Sequence, residues 1–311
     1  MQKYKILKGY VQNTYRYHPS TALLYLLLFI FAGAIVSTLI GVGIGIALYG
    51  TKILNFAYSG FQQLNIEQLN FISISQIVSS LGTFVIPALL LNKLERKHAP
   101  YFSWRMPDQW QLIGVAVLFM IGATPFFEWT ISLNEQLKLP DFLSGVENWM
   151  KMKEEEAGRL TEALLSRAGL SGLFINLFMI GALAAIGEEL LFRGCLQTIF
   201  LRWLSNHHLA IWLAAFIFSA IHFQFYGFLP RMLIGAVCGY FYFWSRNIWV
   251  PIVTHFFNNA SAILVSFFLK KMGKPVDYLD GKFYPWFIYV LSFLIGFVLL
   301  QYFRKQSRKK E

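Results

Sequence analysis

The sequence predicts an all-α membrane protein, a polytopic transmembrane helix bundle of about eight spans. Of its 311 residues, 56% are hydrophobic and 18% aromatic, whereas only 14% are charged. Soluble globular domains carry about 25% charged residues, so this composition excludes that class. The apolar residues also occur in runs long enough to cross about 30 Å of hydrocarbon at about 1.5 Å per helical residue. We therefore expect residues 1–311 to form a single integral membrane domain.

Eight apolar runs, taken in chain order, mark the expected spans. They lie near residues 22–49, 70–92, 110–132, 173–200, 209–226, 229–249, 251–270 and 283–303. The first run contains Gly41, Gly43 and Gly45, which favour close helix packing, because no strand–turn–helix context supports a nucleotide-binding fingerprint. The third run contains Pro125 in its middle, where neighbouring helices are expected to satisfy the freed carbonyl.

The longest connection between spans, residues 133–172, is expected to be an interfacial amphipathic segment. It contains the acidic run Glu154-Glu155-Glu156. Its apolar residues recur at roughly helical spacing, at Phe142, Val146, Trp149 and Met150. Such a helix lies in the membrane interface with its apolar face toward the lipid. A solvated helical connector is the alternative interpretation.

Membrane topology accounts for the net charge of +11. The basic residues lie at the ends of spans and no domain-sized soluble segment carries a basic face, so no nucleic-acid partner is expected. With a cytoplasmic amino terminus, fifteen Lys and Arg residues lie inside and eleven outside. The positive-inside rule then predicts a multi-pass protein of the cell membrane with both termini cytoplasmic. The first span is too long for a cleavable signal peptide.

The two cysteines, Cys195 and Cys238, fall inside the fourth and sixth apolar runs and belong to no paired motif. Disulfide-forming machinery has little access to such positions. We therefore expect both to be core packing residues.

Three charged residues interrupt the apolar run 173–200: Glu188, Glu189 and Arg193. A charge at the centre of a membrane helix costs about 2.5 to 3.5 kcal/mol, and such residues usually face a bundle interior or a wet cavity. Glu189 and Arg193 are four residues apart and share a helix face, which favours a fixed ion pair. Glu188 is rotated by about 100° from its neighbour and is free to act as a base. The alternative is a structural ion pair with a stray acid.

Two histidines lie in other apolar runs, His222 in the fifth and His255 in the seventh. A single intramembrane histidine is more often a hydrogen-bonded packing residue, but two on separate spans favour a site. His255 and Asn259 are one turn apart, so an imidazole and an amide can donate toward one oxygen. Asn258, three residues from His255, is the competing candidate.

Together these groups suit hydrolysis of a peptide bond by an activated water. The carboxylate would deprotonate the water, a histidine would hold it, and the remaining donors would stabilise the tetrahedral oxyanion. A serine mechanism at Ser219 is disfavoured because no base-orienting acid is evident. Zinc is the stronger rival, with Glu188, His222 and His255 as a two-histidine, one-carboxylate set. The His-Glu-x-x-His arrangement of many zinc proteases is absent.

Three motifs follow one another on successive apolar runs, and they are Glu188-Glu189-x-x-x-Arg193, Phe218-x-x-x-His222 and His255-x-x-x-Asn259. In this order they resemble the CPBP family of intramembrane proteases, which contains type II CAAX prenyl endopeptidases and bacteriocin-processing or abortive-infection proteins. The resemblance covers residues 172–260, which we define as the motif-bearing catalytic core.

The resemblance implies a helical bundle with a cavity open to the cytoplasm and laterally to lipid. It also implies roles for the motif residues: Glu188 with His222 would activate water, His255 with Asn259 would stabilise the oxyanion, and Glu189 with Arg193 would support them. The expected activity is an intramembrane endopeptidase without a cofactor, acting on a membrane-associated or lipid-anchored peptide or protein. The alternatives are a zinc-dependent metalloprotease with the same residues and a non-catalytic immunity or binding protein on the same fold. A transporter is a third class, although no inverted pair of broken helices supports it.

Overall fold

The computed structural model describes residues 15–55, 64–95, 100–106, 110–167, 169–274 and 284–308. Within these residues all regular secondary structure is helical and no β-strand is present, which confirms the all-α prediction. The nine α-helices of the described residues are α1 (Pro19–Tyr49), α2 (Ile66–Glu95), α3 (Gln111–Glu135), α4 (Ser144–Leu165), α5 (Gly169–Trp203), α6 (His207–Ala220), α7 (Phe228–Ser245), α8 (Trp249–Lys271) and α9 (Trp286–Ser307).

Six of these helices are long and apolar enough to cross a membrane. They are α1, α2, α3, α5, α8 and α9. The polytopic bundle is confirmed, whereas the number of about eight spans is only approximate. The two remaining expected spans, 209–226 and 229–249, fall on α6 and α7, which have 14 and 18 residues. The expected span 209–226 runs past the end of α6, because Ile221, Phe223 and Phe225 continue its apolar pattern into the turn at residues 221–227, where Phe223 adopts a positive φ of 53°.

Two apolar clusters hold the bundle together. The larger one joins α1, α2, α5 and α6, and includes the fully buried Leu26, Leu91 and Leu190. The second joins α3, α7 and α9, where the ring of Phe241 lies 4.4 Å from that of Phe303. Large apolar side chains on the outward faces of α1 and α9 are exposed, as expected where helices face lipid tails.

Helix α5 departs from regular α-helical geometry at two places. Residues Leu177–Leu183 and Leu190–Gln197 are π-helical, and the acidic pair lies between them. π-Bulges occur frequently at functional sites because they turn side chains away from the regular helical register. Gly187 lets α2 approach this stretch closely, since a Cβ on it would lie 3.0 Å from Cβ of Phe84.

Several local predictions have a structural outcome. Pro125 lies inside α3, and the polar groups beside it are satisfied by Ser292 of α9, which accepts from Phe126 N at 3.1 Å and donates to Gly122 O at 2.7 Å. Cys195 and Cys238 are free and buried, as expected. Gly45 packs closely, since a Cβ there would lie 2.2 Å from Phe71, whereas Gly43 faces open space and takes no part in the packing.

A second buried ion pair lies far along α5 from the acidic pair. Arg202 Nη1 donates to Glu95 Oε2 at 2.7 Å, and Arg202 Nη2 donates to Tyr17 O at 2.6 Å. The hydroxyl of Tyr101 joins the same network through Glu95 and Arg202. The cluster therefore ties the start of α1 to the ends of α2 and α5.

Candidate active site

Glu189 and Arg193 form a buried ion pair one turn apart on α5. Arg193 Nε lies 3.0 Å from Glu189 Oε2, and side-chain exposure is 2% for the arginine and 0% for the glutamate. Neighbouring helices hold the guanidinium in place, because its Nη2 donates to Gly235 O of α7 at 3.0 Å and its carbon lies 4.6 Å from the ring centre of Phe218. The charge-assisted bonds compensate part of the large cost of burying two ions.

His255 connects α8 to both glutamates. Its Nδ1 donates to Glu189 Oε1 at 2.8 Å, and its Nε2 lies 3.8 Å from Glu188 Oε2. Glu189 therefore lies between Arg193 and His255, with Oε1 hydrogen-bonded to the imidazole and Oε2 in ion-pair contact with the guanidinium. Glu188 faces the opposite ring nitrogen at a distance too long for a hydrogen bond, so it retains capacity to accept one from another group.

His222 lies two residues beyond the end of α6, next to the same cluster. Its Nδ1 donates to Phe218 O at 2.7 Å, since a carbonyl oxygen can only accept. In the neutral ring this bond leaves Nε2 unprotonated and able to accept a hydrogen bond. The ring of Phe218 separates the two histidines, at 5.1 Å from His222 and 5.8 Å from His255 between ring centres. The pairing of Glu188 with His222 stays a prediction.

Asn259 lies one turn after His255 and also faces α5. Its Nδ2 donates to Ile180 O at 2.9 Å, within the first π-helical segment of α5. The competing residue, Asn258, donates from its own Nδ2 to Asn259 Oδ1 at 3.2 Å. Asn258 thus contacts the Asn259 amide, and the choice between the two residues for the oxyanion stays a prediction. One of the two N–H groups of Asn259 Nδ2 is used by Ile180, and its role at an oxyanion stays a prediction.

The structure does not support the zinc-dependent alternative. Among the residues that the structure describes, no group of three or more His, Cys, Asp or Glu side chains is arranged to hold a metal ion. Of the expected ligands, His255 directs Nδ1 to one carboxylate and Nε2 toward the other, and His222 directs Nδ1 to a backbone carbonyl.

Two polar residues near the site were not singled out as site residues from the sequence. Arg231, in the first turn of α7, donates from Nη1 to Gln224 O at 3.2 Å and from Nη2 to Gln224 Oε1 at 2.9 Å. Gln197, one turn beyond Arg193, donates to Gly239 O at 3.0 Å. The signal for both was a strongly polar residue inside an apolar run, the same signal that marks Glu188 and Glu189.

Comparison with known proteins places the three motifs in one matched segment. Residues 170–261 match the family described as type II CAAX prenyl endopeptidase Rce1-like. The uncharacterized protein YpbD of Bacillus subtilis (strain 168) is 29% identical over 119 residues, which are 37% of this chain and 56% of YpbD. The match thus spans about half the length of that curated relative. No solved structure matches the chain significantly.

Proposed function

We propose that this chain is an intramembrane endopeptidase, because its residues 170–261 match the family described as type II CAAX prenyl endopeptidase Rce1-like. It would hydrolyse a peptide bond in a membrane-associated or lipid-anchored substrate. The chain is a multi-pass membrane protein, which suits such a substrate. The single observation that carries the proposal is the buried cluster in which Glu188 and Glu189 face the two nitrogens of His255.

Glu188 is the proposed general base. Glu189 is fixed by Arg193 and His255, whereas Glu188 lies beyond hydrogen-bonding distance of His255 and can accept from a water. His222 offers Nε2 as a second acceptor for that water, because its Nδ1 is bound to Phe218 O. Two acceptors would orient both protons of the water and direct its lone pair at the substrate carbonyl.

The charges of the cluster balance through the proposed reaction. With His255 protonated, the two carboxylates are matched by one guanidinium and one imidazolium. When Glu188 takes the proton of water, the hydroxide forms a bond to the carbonyl carbon and the carbonyl π electrons move to oxygen. The cluster then carries one excess positive charge, which matches the negative charge of the oxyanion. Such a preorganised balance in a poorly solvated site is the largest single source of rate enhancement in many enzymes.

Donors for the oxyanion would come from α8. The protonated ring of His255 can donate from Nε2, and the second N–H of the Asn259 Nδ2 group remains after its bond to Ile180 O. In the second step the tetrahedral intermediate collapses, the carbon–nitrogen bond breaks, and Glu188 returns its proton to the leaving amine. Glu188 thus acts as the general base in the first step and as the general acid in the second.

The proposal is tested by following cleavage products. Purified protein in liposomes is mixed with fluorogenic peptides that carry either an S-farnesyl cysteine or an amino-terminal palmitoyl chain, each with a matched peptide that lacks the lipid. We expect product from at least one lipidated peptide and less from its lipid-free match. In cells, new peptide amino termini that require the native chain and vanish in Glu188→Gln would identify natural substrates. The proposal fails if the panel is uncleaved and no such termini are found.

A further inference from the structure

Arg167 is a buried arginine in the connection between α4 and α5, with an exposed fraction of 9%. Its side chain contacts the start of α2, where Nη1 donates to Asn70 Oδ1 at 3.0 Å and Nη2 donates to Ser73 Oγ at 3.0 Å. Its Nε is buried and has no hydrogen-bond partner. A guanidinium has five N–H donors, so these two neutral acceptors use less than half of its capacity.

The other buried arginines of the described residues are each paired with a carboxylate. Arg193 lies 3.0 Å from Glu189, and Arg202 lies 2.7 Å from Glu95. Arg167 has no such partner in the described ranges, and its neutral acceptors leave its charge unbalanced. A buried ion without a counter-ion is strongly destabilising. The guanidinium of Arg167 is therefore suited to an anion that comes from outside the fold.

A second cation lies beside Arg167. Lys270, in the last turn of α8, donates from Nζ to the backbone oxygen of Ser166, the residue that precedes Arg167. The side chain of Lys270 is exposed, and two of its three N–H donors remain after this bond. Within the part of the chain that the structure describes, neither cation forms an ion pair with an acidic residue.

The two cations lie where the ends of four helices meet. Helices α2 and α5 begin here, and α4 and α8 end here. The bond from Arg167 to Asn70 joins the α4–α5 connection to α2, and the bond from Lys270 to Ser166 joins it to α8. Helices α2, α5 and α8 are each long and apolar enough to cross a membrane. Because the ends of a spanning helix lie near the lipid headgroups, both cations are expected at headgroup depth.

An exposed apolar stripe follows α5 from the same point. Leu170, Phe174 and Phe178 recur every four residues, so they lie roughly on one face of the helix. Their exposed fractions are 64%, 67% and 54%. On a membrane-spanning helix such a face contacts acyl chains. Cations at headgroup depth above an apolar stripe match the two parts of a phospholipid, its phosphate and its chains.

We propose that Arg167 and Lys270 form a phosphate-binding site, and that an anionic phospholipid supplies the phosphate. The phosphate oxygens would balance the buried guanidinium and accept from the donors that Asn70 and Ser73 leave unused. Arginine suits this role because its planar fork matches the geometry of phosphate. Lys270 adds a second positive charge, which favours anionic over zwitterionic headgroups. The inference goes beyond the proposed function and does not depend on it.

Melting of the native chain with three sources of phosphate tests the site without any variant. The protein is stripped of lipid in a detergent that contains no phosphate, and dioleoylphosphatidylglycerol, dioleoylphosphatidylcholine or inorganic phosphate is added. A ligand that binds only the folded chain, at about 100 times its Kd, raises the melting temperature by about 5 °C in a protein of this size. We expect a rise of that order with phosphatidylglycerol and a smaller one with phosphatidylcholine.

The other outcomes of this titration also decide. A rise with inorganic phosphate and none with either lipid would assign the site to a free phosphate ion. The proposal is overturned if neither phosphatidylglycerol nor inorganic phosphate has an effect. It is also overturned if phosphatidylcholine stabilises the chain as much as phosphatidylglycerol does.

Arg167→Gln separates a phosphate site from a structural role. Without lipid this variant lacks the unbalanced buried charge, so it should melt no lower than the native chain. With phosphatidylglycerol the native chain should melt higher, because the variant loses the response. Arg167→Lys keeps the charge and should retain part of the response, and Arg159→Gln, on the exposed surface of α4, should respond as the native chain does. A full response in Arg167→Gln would overturn the proposal.

Lys270→Gln tests the second cation without altering a buried group. The side chain is exposed, so the fold should be retained. A lysine near an anionic headgroup contributes about 5-fold in affinity, so the phosphatidylglycerol concentration for half the thermal shift should rise by about that factor. Lys271→Gln is the matched control, because it removes the same charge from the neighbouring exposed position. Equal losses in the two variants would show a general surface attraction and would remove Lys270 from the site.

Discussion

Glu189 Oε1 accepts a hydrogen bond from Nδ1 of His255 at 2.8 Å, so a fully buried carboxylate of α5 fixes the imidazole of α8. The bond points the other ring nitrogen of His255 toward Glu188. The second oxygen of Glu189 is held by Arg193 at 3.0 Å. Glu189 is therefore a positioning residue in this account, and Glu188 is the catalytic one. The two adjacent acids have different tasks because a helix turns them toward different partners.

Removing the charge of Glu189 should reduce both stability and turnover. In Glu189→Gln the guanidinium of Arg193 stays buried without its ion-pair partner, and breaking a buried pair in this way costs about 3 to 5 kcal/mol. We expect a lower melting temperature in detergent and a lower kcat, because His255 loses the acceptor that orients it. Both are measured on the same purified protein, with kcat expressed per folded molecule.

Glu95→Gln is the matched control for Glu189→Gln. It breaks the other buried ion pair, in which Glu95 of α2 binds Arg202 of α5 at 2.7 Å, away from the acidic pair. The melting temperature of this variant should fall by a similar amount, whereas its kcat per folded molecule should equal the native value. Equal kcat losses in the two variants would show that Glu189 acts only through stability.

Arg231 should act on the turn that carries His222. It binds both the backbone and the side chain of Gln224, two residues from His222, so its removal loosens that stretch. We expect Arg231→Ala to raise KM more than it lowers kcat, and Arg231→Lys to recover part of the loss, because lysine keeps the charge but not the paired donors. Steady-state kinetics at several substrate concentrations separate the two parameters. Unchanged KM in Arg231→Ala would remove the assigned positioning role.

Chelation should not affect turnover. Among the residues that the structure describes, no group of three or more His, Cys, Asp or Glu side chains is arranged to hold a metal ion. We expect full activity after prolonged dialysis against a strong chelator, with the metal content measured by elemental analysis. Activity that falls after dialysis and returns with added zinc would contradict this account of the site.

The sequence alone predicted one contact within a helix and the burial of both cysteines. The pair Glu189–Arg193 follows from a spacing of four residues, and the buried cysteines follow from their place inside apolar runs. Contacts between helices were harder, because spacing along α8 does not reveal which face meets α5. The bond from His255 to Glu189 therefore required the structure, as did the bond from Asn259 to Ile180.

The turn at residues 221–227 escaped prediction for a different reason. Ile221, Phe223 and Phe225 alternate with more polar residues in this turn, so hydropathy extended the expected span 209–226 six residues beyond the end of α6 at Ala220. Arg231 was counted as a charge at the end of a span, whereas it lies in the first turn of α7. Polar residues within apolar runs located the buried cluster of Glu188, Glu189, Arg193 and His255.

The most direct test of the central claim is the rate of peptide cleavage by Glu188→Gln in liposomes. The substrate is the lipidated fluorogenic peptide that the native chain cleaves fastest, and the control is Glu147→Gln, which alters an exposed pair with Lys151 on α4. Loss of a general base costs about 10²- to 10⁴-fold in rate, and the replacement keeps the shape of the side chain. We predict a loss of that size in Glu188→Gln with the native melting temperature, and none in Glu147→Gln. Cleavage by Glu188→Gln at the native rate would contradict the account.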